Sequence, residues 1–317
     1  MCAAMLLSSS FGMGKLCVIW SPAYAVDIGP HVFPTAKYGL VRARLLERGI
    51  VAEEDFLQPE PATDADLARV HTEEYLRKIR DDDLAPLERY LLEVPFTPAL
   101  ARASRICCGG TLLTARMALR DGVAVHLGGG FHHAFPDHGE GFCLLNDVAV
   151  AIRALQAEGS VSRVLVVDLD VHHGNGTAAI FAGDDSVHTL SMHQEKNYPA
   201  LKPPSDVDFG LPDGTGDAEY LSILEATLPR ALERSQPELA FYLAGADPYR
   251  EDQLGGLGLT LEGLRRRDAH VLETLRDRGV PVAVTLAGGY AYRQDDTVAI
   301  HGATVEEAVR ALVAARR

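Results

Sequence analysis

The chain has 317 residues, 47% of them hydrophobic and 23% charged, an ordinary globular composition that excludes a disordered or fibrous protein. Acidic residues outnumber basic ones 44 to 30, for a formal net charge of −14; so acidic a body repels phosphate backbones, which excludes direct binding of nucleic acid as a default and favours cationic partners. No apolar run reaches the roughly 20 residues that span a bilayer, and five cysteines without CxxC spacing suggest no disulfide framework or zinc ribbon and point to a reducing, cytoplasmic setting.

Residues 1–15 read as a poorly ordered tail, because the apolar stretch to Met13 precedes the first cation, Lys15, the wrong order for a secretory signal. A single domain is expected over 16–317, with no repeat, linker or composition break. Leu16–Trp20 is the first of six short β-branched runs, followed by Val123–Leu127, Arg163–Asp168, Val187–Met192, Leu239–Ala244 and Pro281–Ala287. Their nearly continuous apolar character suits strands buried on both faces of a parallel sheet. Between the first two runs the chain is less regular: Pro59, Pro61, Pro86, Pro95 and Pro98 interrupt short helices such as Thr72–Arg80, and Asp81–Asp83 reads as a solvated turn. Helical spacing marks Pro98–Leu119, Leu144–Glu158, Asp217–Arg234, Thr260–Arg278 and Asp296–Arg317. Glu195–Gly216, with four prolines, reads as an irregular loop of a length that is usually functional. The alternation predicts a single-domain α/β fold, an open, mostly parallel β-sheet flanked by helices.

Ligands of such sheets sit outside the carboxyl ends of the strands. After Val123–Leu127 come three glycines, Phe131, His132 and His133. After Arg163–Val167 come Asp168, Asp170, His172, His173 and Asn175; Asp247 follows Leu239–Ala244, and Gly288, Gly289 and Tyr290 follow Pro281–Ala287. The convergence of four strand ends on one rim is the strongest functional signal in the chain. Asp170 and His172 point to one side of an extended strand, and with Asp247 they offer two oxygens and one nitrogen, a pattern of catalytic zinc sites. By spacing alone, the first two read equally well as a hydrogen-bonded core pair. His132 and His133 suit a general base and an electrostatic donor, with Asp168 and Asn175 placed to set their tautomers. The glycine triplet lacks the following GK[ST] of a phosphate loop. Tyr290 suits a hydroxyl donor to a developing oxyanion.

Taken together, these residues resemble the histone deacetylase family of the arginase-deacetylase fold. The resemblance rests on His132-His133, Gly141-Phe142-Cys143, the run from Asp168 to Gly176, Asp247 and Gly288-Gly289-Tyr290, and extends from about Ser21 to the C-terminus. Gly245–Thr260, with its Leu254-Gly255-Gly256-Leu257 run, is most similar to the class IV branch and its bacterial relatives. The resemblance implies a zinc-dependent hydrolase of amide bonds that removes an acetyl or longer fatty acyl group from lysine. Asp170, His172 and Asp247 would bind one Zn2+. His132, oriented by Asp168, would take a proton from the attacking water; His133 would assist protonation of the leaving amine; Tyr290 would polarise the acyl carbonyl. Gly141 and Phe142 would line the acyl-lysine tunnel. Backbone oxygens around Asp168, Asp170, His172 and Met192, with the Ser191 hydroxyl, resemble the family's structural potassium site. Acyl-chain length is expected to be decided by the Glu195–Gly216 loop, including Tyr198, and by Leu254.

One departure is Asn175, where some branches carry aspartate; without that charge His133 is expected to protonate less readily. A binuclear manganese ureohydrolase on the same fold would need an aspartate at Gly174. An acetylpolyamine amidohydrolase remains an alternative, with Glu140 and the Glu251-Asp252 pair as candidate carboxylates at a tunnel mouth. A non-enzymatic acyl-lysine binding module is disfavoured because every catalytic position holds a competent residue. The expected partner is therefore an acylated lysine peptide or protein, or an acetylated polyamine; the sequence does not fix the oligomeric state. Of twelve histidines, four (His132, His133, His172 and His173) are expected at the active rim.

Overall fold

A computed structural model of the chain describes residues 15–315. The expected tail up to residue 14, and residues 316–317 of the expected last helix, lie outside the described residues. Lys15 is described and pairs with Glu54 at 2.8 Å.

The first strand, β1 (Cys17–Ile19), leads into α1 (Lys37–Glu47), a two-residue β2 (Phe56–Leu57) and three short helices, α2 (Asp64–Leu67), α3 (Glu73–Asp81) and α4 (Pro86–Leu92). Then come α5 (Pro98–Asp121), β3 (Val123–His126), α6 (Asp147–Ala157), β4 (Val164–Asp168), α7 (Asn175–Phe181), β5 (Val187–Gln194) and β6 (Val207–Leu211). The chain continues through α8 (Asp217–Ser235), β7 (Leu239–Leu243), α9 (Leu261–Asp277) and β8 (Val282–Thr285) to α10 (Gln294–Ala314).

All pairings within the eight-stranded sheet are parallel, and its order is β2-β1-β3-β8-β7-β4-β5-β6. The chain leaves β3 for β4 and later returns to fill the gap with β7 and β8. Every residue of β3, β4, β7 and β8 is buried, because helices cover both faces of the sheet. Side chains such as Val125, Val167 and Tyr242 pack into one core layer, and Ala124, Val166 and Phe241 into the other.

Two strands differ from expectation. The Glu195–Gly216 stretch is not wholly irregular: it contains β6, an edge strand whose buried Leu211 follows alternating half-buried and exposed residues. Its aspartate and glycine are poor strand formers, so the sequence carries little sign of it. The other edge, β2, is too short to leave a pattern. The N-terminal third holds the expected short helices and, in addition to those anticipated, α1. Local chemistry sets the helix limits. Thr97 caps α5 ahead of Pro98, and Gly122, at φ +93°, ends it. Asn146 caps α6 by accepting from the Ala149 N–H, so that helix begins at Asp147 rather than near Leu144.

Candidate active site

The four predicted strand ends meet at one rim. β4 delivers Asp168, and the bend that follows it, rather than a continuing strand, delivers Asp170 and His172. Asp170 Oδ1 accepts from His172 Nδ1 at 3.1 Å, while its Oδ2 accepts from the Gly288 N–H at 2.8 Å. Asp247, just past β7, accepts from the Val171 N–H at 2.9 Å through Oδ1, and its Oδ2 lies 3.5 Å from His172 Nδ1. That Oδ2 is buried without a hydrogen-bond partner. Facing donor atoms of the three residues all lie within 4.8 Å of one another.

Two buried carboxylates and an imidazole nitrogen turned inward, one oxygen left unpartnered, are an expensive arrangement for an apolar core and a fitting one for a divalent cation. Burial and the neighbouring Asp170 push Asp247 up to about 7, against the pull of His172. A cradle surrounds the three groups: a methyl at Gly288 would overlap Asp247 Oδ2 and lie 2.6 Å from Asp170 Oδ2. The glycine lets the backbone approach the carboxylates. The spacing-based alternative of a simple core pair does not account for the orphaned oxygen.

Beside this set, His132 Nδ1 donates to Asp168 Oδ2 at 2.7 Å and His133 Nδ1 contacts Asn175 Oδ1 at 2.7 Å. The two Nε2 atoms face each other at 3.1 Å, a contact that needs one proton between them. The charges around the pair divide its members. Burial lowers His132, but Asp168 and Asp170 outweigh it and raise the ring to about 9. Burial, His132 and His172 hold His133 well below the usual histidine range. Tyr290 follows β8; burial and the two aspartates raise its hydroxyl well above 10, so it stays an O–H donor.

A narrow cavity opens over these groups, lined by Phe33, Gly141, Phe142, His132, His133 and Tyr290 among others. Phe142 stacks on Phe33 with ring centres 5.9 Å apart. Tyr198 stands edge-on to His133 at 4.9 Å. Leu254 is half-buried against the same aromatic cluster as Phe33, outside the cavity lining. The β4–β5 register sets Asp168 beside Ser191, with Met192 next along β5, so these three residues of the implied potassium site lie on adjacent strands, with Asp170 and His172 just past the end of β4. The Ser191 hydroxyl is 2.9 Å from His193 Nδ1.

Two expectations are corrected. His173 is not part of the rim: its Nε2 meets Asp208 at 3.1 Å and its ring packs on His193. Asp252 is not a mouth carboxylate. It is buried, taking the N–H groups of Tyr290 at 2.7 Å, Leu254 at 2.8 Å and Gly255 at 3.1 Å, and so fixes the backbone that carries Tyr290.

Other residues of the site leave little trace in the sequence. Asp147 is buried at the start of α6 and accepts from the N–H groups of Gly130 at 3.0 Å and Phe131 at 2.8 Å. It thereby holds the turn that presents His132. Lys37, buried in α1, donates to the Ala287 carbonyl at 2.7 Å, beside the Tyr290 ring. Burial lowers it to about 8, although Asp247, Asp170 and Asp252 oppose the shift. The Asn-Asp pair before an apolar helix is a readable cap signal for Asp147; nothing local marks Lys37.

The chain is similar to known proteins over most of its length. The model of the histone deacetylase domain matches residues 31–304. An uncharacterized protein of Picosynechococcus is 42% identical over 285 residues, 90% of this chain and 95% of that one. Histone deacetylase 2 of Arabidopsis thaliana is 31% identical, covering 88% of this chain and 75% of its own length. A probable deacetylase of Methanothermobacter thermautotrophicus is 33% identical, covering 87% and 86%. Among solved structures, the crystal structure of the HDA15 HD domain superposes with a TM-score of 0.77 at 25% identity, covering 96% of this chain and 92% of that one.

Proposed function

The chain belongs to the histone deacetylase family, and from that membership and the chemistry of the rim we propose that it is a zinc-dependent amidohydrolase removing an acetyl or longer fatty acyl group from the ε-amine of lysine in proteins or peptides. The observation that carries the reading is the buried set of Asp170, His172 and Asp247, one oxygen of it unpartnered, lying beside a histidine pair and a tyrosine. Those three residues would hold the zinc, which when bound supplies Lewis acidity to the acyl carbonyl and the attacking water.

The chain's own groups do the rest. Phe142 and Phe33 exclude water from the acyl-lysine stem, with Gly141 leaving room for it. Tyr290, held protonated, donates to the carbonyl oxygen as negative charge develops there. His132 passes the proton it shares with His133 to the His133 Nε2; its own Nε2 then accepts a proton from water, with Asp168 fixing the ring. His133 passes a proton to the departing amine, and Asn175 sets its tautomer. We further assign the Gly245–Thr260 segment to the class IV branch, Ser191, Met192 and the backbone around Asp168, Asp170 and His172 to a structural potassium site, and residues 16–317 to one catalytic domain. A cytoplasmic location is proposed on the free, buried state of Cys17, Cys107, Cys108 and Cys143. Among the described residues no helix is long and apolar enough to cross a membrane.

A hydrolysis panel on the zinc-loaded chain tests the reading: acetyl-, octanoyl- and myristoyl-lysine peptides beside acetylputrescine and acetylspermidine. Turnover of at least one lysine peptide above the polyamines is expected. Turnover of polyamines alone would replace the lysine substrate with a free amine, and binding without turnover would make the chain a recognition module.

A further inference from the structure

The sequence places an uncharged asparagine where some relatives put an aspartate against the second histidine. The missing charge lies one residue farther out. Asn175, buried, contacts His133 Nδ1 through Oδ1 at 2.7 Å, and its amide nitrogen donates to Glu140 Oε1. The same carboxylate oxygen accepts from the Tyr198 hydroxyl at 3.0 Å, while Oε2 lies 3.5 Å from His138 Nε2. Glu140 is carried by a tight turn. The Cys143 N–H returns to the Glu140 carbonyl at 2.9 Å, and the Gly141 and Phe142 N–H groups are held by the Leu91 and Leu92 carbonyls at the end of α4. Gly141 takes φ +52° and Phe142 +69° to make it, and a methyl at Gly141 would sit 2.7 Å from His133 Cδ2.

We propose that Glu140 is a positioning residue that sets the tautomer of His133 through Asn175; the inference rests on the amidohydrolase reading for its consequence, though not for its structure. The logic of donors and acceptors leads there. An asparagine amide has an oxygen face and an NH2 face and can turn either toward a neutral histidine. A carboxylate accepts only. With Glu140 on one side, the NH2 must point to it, and the oxygen must point to His133. His133 therefore carries its proton on Nδ1, and its Nε2 keeps a lone pair turned toward His132. An aspartate at position 175 would impose this unaided. An asparagine does so only with an acceptor behind it, which is why a carboxylate at 140 belongs to the same device as Asn175. The surroundings of Glu140 keep it an ionised acceptor. Burial raises its pKa, but hydrogen bonds from His138, Asn175 and Tyr198 outweigh it and the net shift is downward.

The experiment is ring-nitrogen NMR of 15N-histidine-labelled, zinc-loaded full chain, with the His133 signals assigned by their loss in His133→Ala, together with kcat and KM on an acetyl-lysine peptide. The wild-type chain is expected to show His133 as the Nδ1–H tautomer alone. In Glu140→Ala a second, Nε2–H form should appear and kcat should fall roughly tenfold, below the full 10²–10⁴ contribution of a general acid or base, with KM within about twofold. Adding Asn175→Asp to Glu140→Ala should restore the Nδ1–H form and most of the lost kcat. Glu140→Gln, whose amide can turn either face to Asn175, should admit part of the Nε2–H form and covers the case in which the alanine variant fails to fold. Tyr198→Phe should leave the tautomer unchanged. An unchanged His133 spectrum in Glu140→Ala, or no recovery in the double variant, would overturn the proposal. Absence of amide hydrolysis by the wild-type chain would instead overturn the amidohydrolase reading and leave the spectral test standing.

Discussion

Asp252→Asn isolates the support of Tyr290 from its chemistry. Asp252 is 6% exposed; Oδ2 takes the Tyr290 N–H at 2.7 Å and Oδ1 takes those of Leu254 and Gly255 at 2.8 and 3.1 Å. Asparagine has nearly the same shape but only one acceptor oxygen. Whichever way its amide turns, an NH2 group meets at least one backbone N–H. Keeping the oxygen on the Leu254–Gly255 side satisfies two donors and sets the amide nitrogen against the Tyr290 N–H. The loss is one hydrogen bond to a charged group plus a buried orphan donor, about 1.5–3 kcal/mol. The effect on rate is bounded above by removal of the hydroxyl itself, on the order of 10²–10³. The expected result is a kcat about 10–10² lower on an acetyl-lysine peptide, with KM nearly unchanged and a comparable loss of stability in urea. Wild-type kcat beside that loss of stability would refute the link between Asp252 and Tyr290. A larger drop than Tyr290→Phe would show that Asp252 does more than hold the backbone.

Tyr290→Phe keeps the ring packed against Phe142 and removes one oxyanion donor, so kcat should fall by about 10²–10³ with zinc content unchanged; near-full activity would refute the role. Gly288→Ala should abolish zinc binding, measured by elemental analysis, because the added methyl overlaps the Asp247 carboxylate; one zinc per chain in that variant would contradict the site. Acid should weaken the fold through His71, whose Nε2 accepts from the Asn146 N–H at 3.1 Å at the start of α6. Burial lowers this ring to about 4, so the unfolded chain protonates first, near pH 6.5, and stability declines from there down to about pH 4. The decline amounts to about 2 kcal/mol at pH 5, and it should be smaller in His71→Gln; equal acid sensitivity of variant and wild type in urea melts would refute it.

The six anticipated strands all exist, because burial on both faces forces an apolar run that needs no neighbours to be recognised. The strands that escaped are the two edges, where β6 alternates Val207, Asp208, Phe209 and Gly210 with half its surface in water. The same contrast holds at the site. Asp170 and His172 lie two residues apart just past the end of β4, and the glycines before His132 and Tyr290 mark close turns, so the donors and the histidine pair were legible. Glu140, Asp252 and Lys37 work through backbone or amide groups that the fold brings to them: Lys37 meets the carbonyl of Ala287, 250 residues away. Such partnerships leave no periodicity in sequence. His173 shows the opposite error, since its place in a histidine pair suggested the rim, but the chain turns its ring away to Asp208 and His193.

The central claim, that amide hydrolysis depends on a cation held by Asp170, His172 and Asp247, is tested most directly by adding zinc to the metal-stripped chain while following release of the acyl carboxylate from an acyl-lysine peptide. Activity should rise in proportion to zinc, reach its plateau at one equivalent, and be absent at every zinc level in Asp247→Ala. Turnover that is indifferent to zinc, or that persists undiminished in the variant, would contradict it.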